Sequence, residues 1–233
     1  MNKRDTITNW YEKVDSSSKK IKPDRNYKNH LIKPCMMITI IGPTGSGKTN
    51  ALLEFLARKN NSFYSMIIFS GSTTDEPLYN MLSEKMDGVE LIDNISDLPD
   101  LTDMNDDDKT QEKLIVFDDI INLKPIEKVK LQKWFNSARK YGYTCICMAQ
   151  NFADLPTQIR RNTMIYILFK MNDINTIKHI LKTHSHTSIP VDVVLKMYQY
   201  ATHDKGNFFK IDFTSDHPFT KNFIETLDPR NFS

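Results

Sequence analysis

The chain has 233 residues, of which 39% are hydrophobic and 26% are charged, and its formal net charge is +2. We therefore expect a globular protein of one well-packed domain, and the absence of any run of about 18 apolar residues predicts no membrane span. The polar N-terminus predicts no signal peptide. Three cysteines, Cys35, Cys145 and Cys147, lie in apolar settings and are predicted to be buried thiols of a protein in a reducing compartment.

The charge is unevenly distributed. Residues 1–35 hold nine Lys or Arg against four Asp or Glu, a net charge of +5, whereas residues 93–112 hold eight acidic residues against one lysine, a net charge of −7. A basic arm can bind nucleic acid or a membrane surface, or it can be a solvated tail. We interpret residues 93–112 as an acidic surface loop.

Apolar runs alternate with helical patterns along the chain. Strands are predicted at 36–41, 65–69, 89–92, 114–117, 144–149 and 164–169, helices at 47–59, 74–86, 126–141, 156–161, 172–183 and 190–201, and a hairpin at 207–213. Because the runs are continuously apolar, they predict an α/β fold, a mainly parallel sheet with helices on both faces. Residues 1–34 are interpreted as a basic N-terminal extension, 35–213 as the folded domain and 214–233 as an irregular C-terminal tail.

One segment has a specific ligand chemistry. A strand leads into a G-x-x-x-x-G-K-T motif, the Walker A motif or P-loop, and then into a helix. Its backbone N–H groups can surround phosphate oxygens at the positive end of the helix. Lys48 is predicted to reach the β- and γ-phosphates of ATP, and the Thr49 hydroxyl to bind Mg²⁺. The predicted nucleotide-binding residues are Gly42, Pro43, Thr44, Gly45, Ser46, Gly47, Lys48, Thr49 and Asn50.

Polar residues also follow two later strands. Asp118 is the predicted Walker B acid, which holds Mg²⁺ through water. Asp119 is predicted to position the attacking water, and its alternative role is to cap the next segment. Gln150 is predicted to contact the γ-phosphate or that water, although strand-end polar groups are often simply solvated. Since ligands of parallel sheets bind at the carboxyl ends of strands, we expect these residues to converge on the P-loop.

Three arginines are candidates for an arginine finger, a residue that neutralises transition-state charge across a subunit boundary. Arg139 is the first candidate, but a cation at the C-terminal end of a helix is also favourable for dipole reasons. Arg160 and Arg161 are the others, and they can equally contact DNA or form a solvated face.

Taken in chain order, several motifs resemble the poxvirus-type DNA-packaging ATPases of the FtsK–HerA superfamily, which occur in large DNA viruses and virophages. The resemblance covers about residues 36–170. Many members have Arg-His where this chain has Arg139-Lys140. The motifs are Ile41-Gly42-Pro43-Thr44-Gly45-Ser46-Gly47-Lys48-Thr49, Phe69-Ser70-Gly71-Ser72-Thr73 with Pro77-Leu78-Tyr79, Val116-Phe117-Asp118-Asp119, Asn136-Ser137-Ala138-Arg139-Lys140-Tyr141-Gly142, Met148-Ala149-Gln150 and Leu155-Pro156-Thr157-Gln158-Ile159-Arg160-Arg161-Asn162.

This resemblance implies a RecA-like P-loop NTPase core with an additional strand between the Walker A and Walker B strands. It also implies a ring-forming ATPase, a hexamer or a pentamer, that translocates double-stranded DNA into a viral capsid. Such a protein would act at viral assembly sites in the host cytoplasm or be associated with the virion. The basic arm at residues 1–34 would then supply salt-sensitive DNA contacts.

Other functions remain open from the sequence. A nucleotide kinase with Arg160 and Arg161 in a lid would share the P-loop, but the Asp118-Asp119 pair and Gln150 favour water as the nucleophile. Another DNA-translocating ATPase of the same superfamily, or a non-enzymatic protein with a degenerate ATP site, are the further alternatives.

Overall fold

The computed structural model describes residues 21, 24–60, 62–71, 76–101, 111–120, 123–184 and 189–233. The strands in these ranges are β1 (Met37–Ile41), β2 (Met66–Ser70), β3 (Val89–Ile92), β4 (Lys113–Asp118), β5 (Tyr143–Ala149), β6 (Ile165–Leu168), β7 (Phe209–Asp212), β8 (Phe219–Lys221) and β9 (Glu225–Thr226). The helices are α1 (Lys48–Arg58), α2 (Pro77–Lys85), α3 (Pro125–Ser137), α4 (Thr157–Asn162), α5 (Asn175–His184) and α6 (Val191–Ala201). Short 3₁₀ helices cover Tyr27–Asn29, Ala138–Tyr141, Phe152–Asp154 and Pro229–Phe232.

The strands form one sheet in the order β3-β2-β4-β5-β1-β6-β7-β8-β9. All pairings from β3 to β6 are parallel, and those from β6 to β9 are antiparallel. β5 lies between β1, which precedes the P-loop, and β4, which carries Asp118. The predicted fold class, a mainly parallel sheet with an additional strand between the two Walker strands, is therefore confirmed.

Helices cover both faces of the sheet, which explains why its central strands are continuously apolar. On one face, α3 to α6 bury residues such as Trp134, Ile177 and Met197. On the other face, α1 and α2 bury residues such as Phe55 and Leu82. The three cysteines are free and buried, as predicted. Within the described ranges, no helix is long and apolar enough to cross a membrane.

The C-terminal residues differ from the prediction. Segment 207–213 supplies one strand, β7, rather than a hairpin, and β7 pairs with β6 and β8. Residues 214–233, predicted to be an irregular tail, contain β8 and β9, so the boundary expected at residue 213 falls inside the sheet. Phe219 is buried and stacks on Phe209, with 5.7 Å between the ring centroids. The buried Lys210 Nζ donates to the carbonyl oxygens of His30 (3.1 Å) and Phe223 (2.9 Å).

The N-terminal segment from residue 24 onward packs on the fold through a buried ionic network. Lys59 Nζ, at the C-terminal end of α1, lies 2.7 Å from both Asp24 Oδ2 and Glu112 Oε2. Asp24 also contacts His30, whose pKa is lowered to about 4 by burial and by the nearby Lys59 charge. The backbone N–H of Cys35 donates to Glu112. Part of the predicted extension thus belongs to the fold, whereas residues 1–20 lie outside the described residues.

Replacing Lys59 by methionine should lower the free energy of unfolding by about 3–5 kcal/mol, because the buried Asp24 and Glu112 carboxylates would lose their common cation. Urea denaturation measures the change. Lys28→Met, which alters an exposed lysine, is the control and should change stability little. A Lys59→Met protein as stable as the control would contradict the stabilising role of the network.

The acidic segment predicted as a surface loop is anchored to the core over its first part. Asp93, Asp97 and Asp100 are exposed as expected, but the intervening apolar side chains Ile95, Leu98 and Leu101 are buried. Trp134 Nε1, on α3, donates to the Pro99 carbonyl oxygen at 3.0 Å. Residues 102–110 of this predicted loop lie outside the described residues.

Candidate functional site

The P-loop connects the carboxyl end of β1 to the first residue of α1, Lys48. Gly45 and Gly47 have φ values of 72° and 108°, in the left-handed region that favours glycine. Gly42 is enclosed, since a Cβ atom there would lie 2.6 Å from Ser46 Oγ and 2.7 Å from Phe169 Cβ. These positions explain the three glycines of the motif by backbone geometry and close packing.

The Lys48 side chain folds back over the loop. Its Nζ donates to the carbonyl oxygens of Gly42 (2.8 Å) and Pro43 (3.2 Å). Burial lowers the Lys48 pKa, and the charges of Asp118 and Asp119 oppose that shift. Ser46 Oγ is buried and has no hydrogen-bond partner among the described residues, so a polar atom inside the loop is left for a ligand oxygen.

A cleft of about 410 Å³ opens at the carboxyl ends of β1, β4 and β5, within the size range of small-molecule sites. The predicted residues on its wall are Thr44, Gly45, Gly47, Lys48, Thr49, Asn50, Asp118, Asp119 and Gln150. Gly42 and Pro43 adjoin it through the carbonyl groups that Lys48 contacts. The convergence expected from the sequence is therefore present.

The two adjacent aspartates occupy different environments. Burial raises the Asp118 pKa, while hydrogen bonds from Tyr79 and from the Asp119 backbone oppose that shift. The Asp119 N–H donates to Asp118 Oδ1 at 2.9 Å, and Asp119 has a φ of 49°. Gly71 N–H donates to the Asp118 carbonyl oxygen at 3.1 Å, and the Asp119 carbonyl oxygen leaves no room for a Cβ atom at Gly71. This packing fixes the turn that carries Asp119 into the cleft.

Helix α2 contributes residues that the sequence analysis did not select. Glu76, which caps α2, and Leu78 line the cleft, and the Tyr79 hydroxyl donates to Asp118 Oδ2 at 2.7 Å. Tyr79 falls at a core position of an amphipathic helix, so its sequence context indicated only packing. The Pro77-Leu78-Tyr79 resemblance to the family was the one available signal.

The cleft contains oxygen groups suited to Mg²⁺. The Thr49 side chain and the Asp118 carboxylate both line it, and hard oxygen donors are what this cation prefers. Among the described residues, no group of three or more His, Cys, Asp or Glu is placed to hold a metal ion. The pair therefore fits Mg²⁺, which commonly uses one or two protein ligands together with water and substrate phosphates.

The candidate arginines do not line the cleft of their own chain. Arg139 lies in the 3₁₀ helix just before β5 starts, hence at the amino edge of the parallel strands, and its charge acts on Cys35 before β1. Arg160 places its guanidinium 5.2 Å from the Phe152 ring centroid and donates to Thr157 Oγ1. Arg161 is exposed. A finger role for any of them requires contact with a neighbouring subunit's cleft.

A family model described as the poxvirus A32 protein matches residues 24–209 of the chain. The chain belongs to this family. The match spans the P-loop, both aspartates, Gln150 and β1 to β6, and it confirms the resemblance predicted from the sequence. A search of curated protein sequences finds no significant match.

Solved structures similar to this member of the poxvirus A32 protein family include a viral ATPase. The crystal structure of B204, the DNA-packaging ATPase from Sulfolobus turreted icosahedral virus, has a TM-score of 0.55 and 15% identity, covering 84% of this chain and 99% of that chain. The structure of B204, the genome packaging NTPase from Sulfolobus turreted icosahedral virus 2, in complex with sulfate has a TM-score of 0.54 and 16% identity. The match covers 84% of this chain and 99% of that chain. The complex of the same protein with AMPPCP has a TM-score of 0.52 and 14% identity, and the match covers 80% of this chain and 96% of that chain. At these identities the likeness establishes a shared fold.

Proposed function

We propose that this member of the poxvirus A32 protein family binds and hydrolyses ATP and uses the energy to move double-stranded DNA into a viral capsid. The observation that carries the proposal is the convergence of the P-loop, Asp118, Asp119 and Gln150 in one cleft of a chain that belongs to this family. The likeness of its fold to B204, described as a DNA-packaging ATPase and solved with an ATP analogue, supports it further. The function predicted from the sequence therefore stands.

ATP binding relies on the loop and on the start of α1. Backbone N–H groups of the glycine-rich loop and the positive end of α1 hold the phosphates. In the presence of nucleotide, Lys48 Nζ exchanges its bonds to Gly42 and Pro43 for phosphate oxygens. The Ser46 hydroxyl, which has no partner among the described residues, is available for the same oxygens.

Hydrolysis requires a positioned water molecule and stabilisation of the transition-state charge. Asp119 accepts the hydrogen bond that orients this water, and Gln150, which also lines the cleft, contacts the γ-phosphate or the water. Thr49 and Asp118 are the residues that would hold Mg²⁺, which would neutralise phosphate charge. Glu76 is a third carboxylate that lines the cleft, and it is the alternative water-positioning residue.

The remaining charge is supplied by an arginine from a neighbouring subunit, since the candidates Arg139, Arg160 and Arg161 lie outside the cleft of their own chain. This requirement favours a ring, a hexamer or a pentamer, in which each cleft faces the next subunit. The ring acts on the viral capsid at assembly sites in the host cytoplasm. The basic residues of the N-terminal arm contact DNA.

The decisive experiment measures the steady-state ATPase rate with and without double-stranded DNA. We expect DNA to stimulate hydrolysis, and the stimulation to fall steeply between about 50 and 200 mM salt because DNA binding releases counterions. A polyanion without bases, such as heparin, is the control for nonspecific charge.

Two results would contradict this proposal. The first is an ATPase rate that does not change on addition of DNA, measured for a protein that has assembled into rings. It would contradict the coupling of hydrolysis to DNA translocation. Transfer of phosphate from ATP to a nucleoside monophosphate, measured in the same assay, would favour the nucleotide kinase alternative.

A further inference from the structure

Tyr79 is a core residue whose polar end reaches the candidate site. Its ring packs in the apolar cluster between α2 and the sheet, together with Leu82, Ile68 and Val116, and only 3% of the residue is exposed. The hydroxyl emerges from this cluster at the carboxyl end of β4. A purely apolar phenylalanine would fill the same core space, so the hydroxyl itself requires an explanation.

The hydroxyl contacts one of the two side chains assigned to Mg²⁺. It donates to Asp118 Oδ2 at 2.7 Å, and burial together with the nearby Asp118 charge raises the Tyr79 pKa, so the hydroxyl keeps its proton. The other carboxylate oxygen, Asp118 Oδ1, accepts the Asp119 N–H at 2.9 Å. Both oxygens of Asp118 are therefore held by donors from different elements, one on α2 and one on its own turn.

We propose that Tyr79 is a positioning residue that holds Asp118 in the arrangement that binds Mg²⁺ with ATP. The inference rests on the proposed function and adds α2 to the metal site. Groups that orient metal ligands by hydrogen bonding typically change metal affinity by about 10–100-fold when removed. Because Glu76 and Leu78 at the start of α2 also line the cleft, the same helix contacts the nucleotide site at more than one point.

The test is binding of a fluorescent, non-hydrolysable ATP analogue, titrated with Mg²⁺ and repeated in EDTA. Tyr79→Phe removes the hydroxyl and keeps the ring. We expect the Mg²⁺ concentration for half-maximal binding to rise about tenfold in this variant, whereas binding in EDTA stays at the wild-type level.

Two control variants separate positioning from packing. Leu82→Ala removes a buried side chain of the same helix without touching the site, and Tyr200→Phe removes a surface hydroxyl that donates to Glu225 Oε1 at 3.0 Å. Neither should shift the Mg²⁺ dependence, even if Leu82→Ala lowers stability. Thermal denaturation of each variant identifies loss of folding.

The outcomes are distinct. An unchanged or lower Mg²⁺ midpoint in Tyr79→Phe, or an equal rise in Leu82→Ala, overturns the inference and leaves the proposed function intact. A wild-type protein whose analogue binding does not respond to Mg²⁺ overturns the metal site of the proposed function and this inference with it. A rise confined to Tyr79→Phe supports both.

Discussion

Replacing Lys48 by alanine is expected to reduce ATP hydrolysis by on the order of a hundredfold or more, the scale seen when one charge-stabilising group is removed from an active site. Lys48 Nζ already lies over the loop, bonded to the carbonyl oxygens of Gly42 and Pro43. Alanine removes the P-loop cation that would stabilise the negative charge of the γ-phosphate in the transition state. Steady-state phosphate release at saturating ATP measures the effect.

The control for this variant is Lys85→Ala, which removes an exposed lysine from the last turn of α2 and should hydrolyse ATP like the wild type. Thermal denaturation without nucleotide should give similar midpoints for all three proteins, because Lys48 contributes only two loop hydrogen bonds to the ligand-free fold. Hydrolysis by Lys48→Ala within a few fold of wild type would remove the P-loop from the proposed mechanism.

Replacing Asp119 by asparagine is expected to slow hydrolysis by about a hundredfold or more, the range of a lost general base, and to leave nucleotide binding nearly unchanged. The substitution is well matched to the backbone. Asp119 has a φ of 49°, and asparagine adopts the left-handed region as readily as aspartate. The turn packed against Gly71 is therefore preserved while the carboxylate charge is lost.

Glu76→Gln is the companion variant, because Glu76 is the other carboxylate beside the site that is not assigned to Mg²⁺. Fluorescent analogue binding and single-turnover hydrolysis should be measured for both variants. Loss of hydrolysis in Asp119→Asn alone supports the assignment. Near wild-type hydrolysis in Asp119→Asn together with loss in Glu76→Gln would transfer the water-positioning role to the start of α2.

The sequence was sufficient to predict the parallel part of the sheet and most of the cleft. β1, β4 and β5 are covered on both faces, so their apolar runs are continuous and easily identified. The chain direction then places the P-loop, Asp118 and Gln150 at one edge without knowledge of side-chain contacts. The same reasoning places Arg139 at the amino edge of the parallel strands. No sequence pattern predicts whether Arg139 faces a neighbouring subunit.

The sequence was insufficient where short elements depend on distant partners. β8 and β9 contain three and two residues, too few to show an alternating pattern. β8 is held by pairing with β7, and β9 by pairing with β8. The charged residues Asp24, Lys59 and Glu112 gave no sign of burial, since charged side chains are usually exposed unless paired. The role of the Tyr79 hydroxyl could not be predicted, because Tyr79 lies at a helical core position where the sequence indicates only packing. Its hydrogen bond to Asp118 is visible only in the structure.

Lys210 links two segments that lie far apart in the sequence, because its Nζ bonds the carbonyl oxygens of His30 and Phe223. During synthesis, His30 and the P-loop leave the ribosome long before Phe223 is added. The segment around His30 can therefore make its contact with Lys210 only after some 180 further residues have been synthesised. A chain shortened before Phe223 would lack one of these two hydrogen bonds, and a buried lysine would lose part of its compensation.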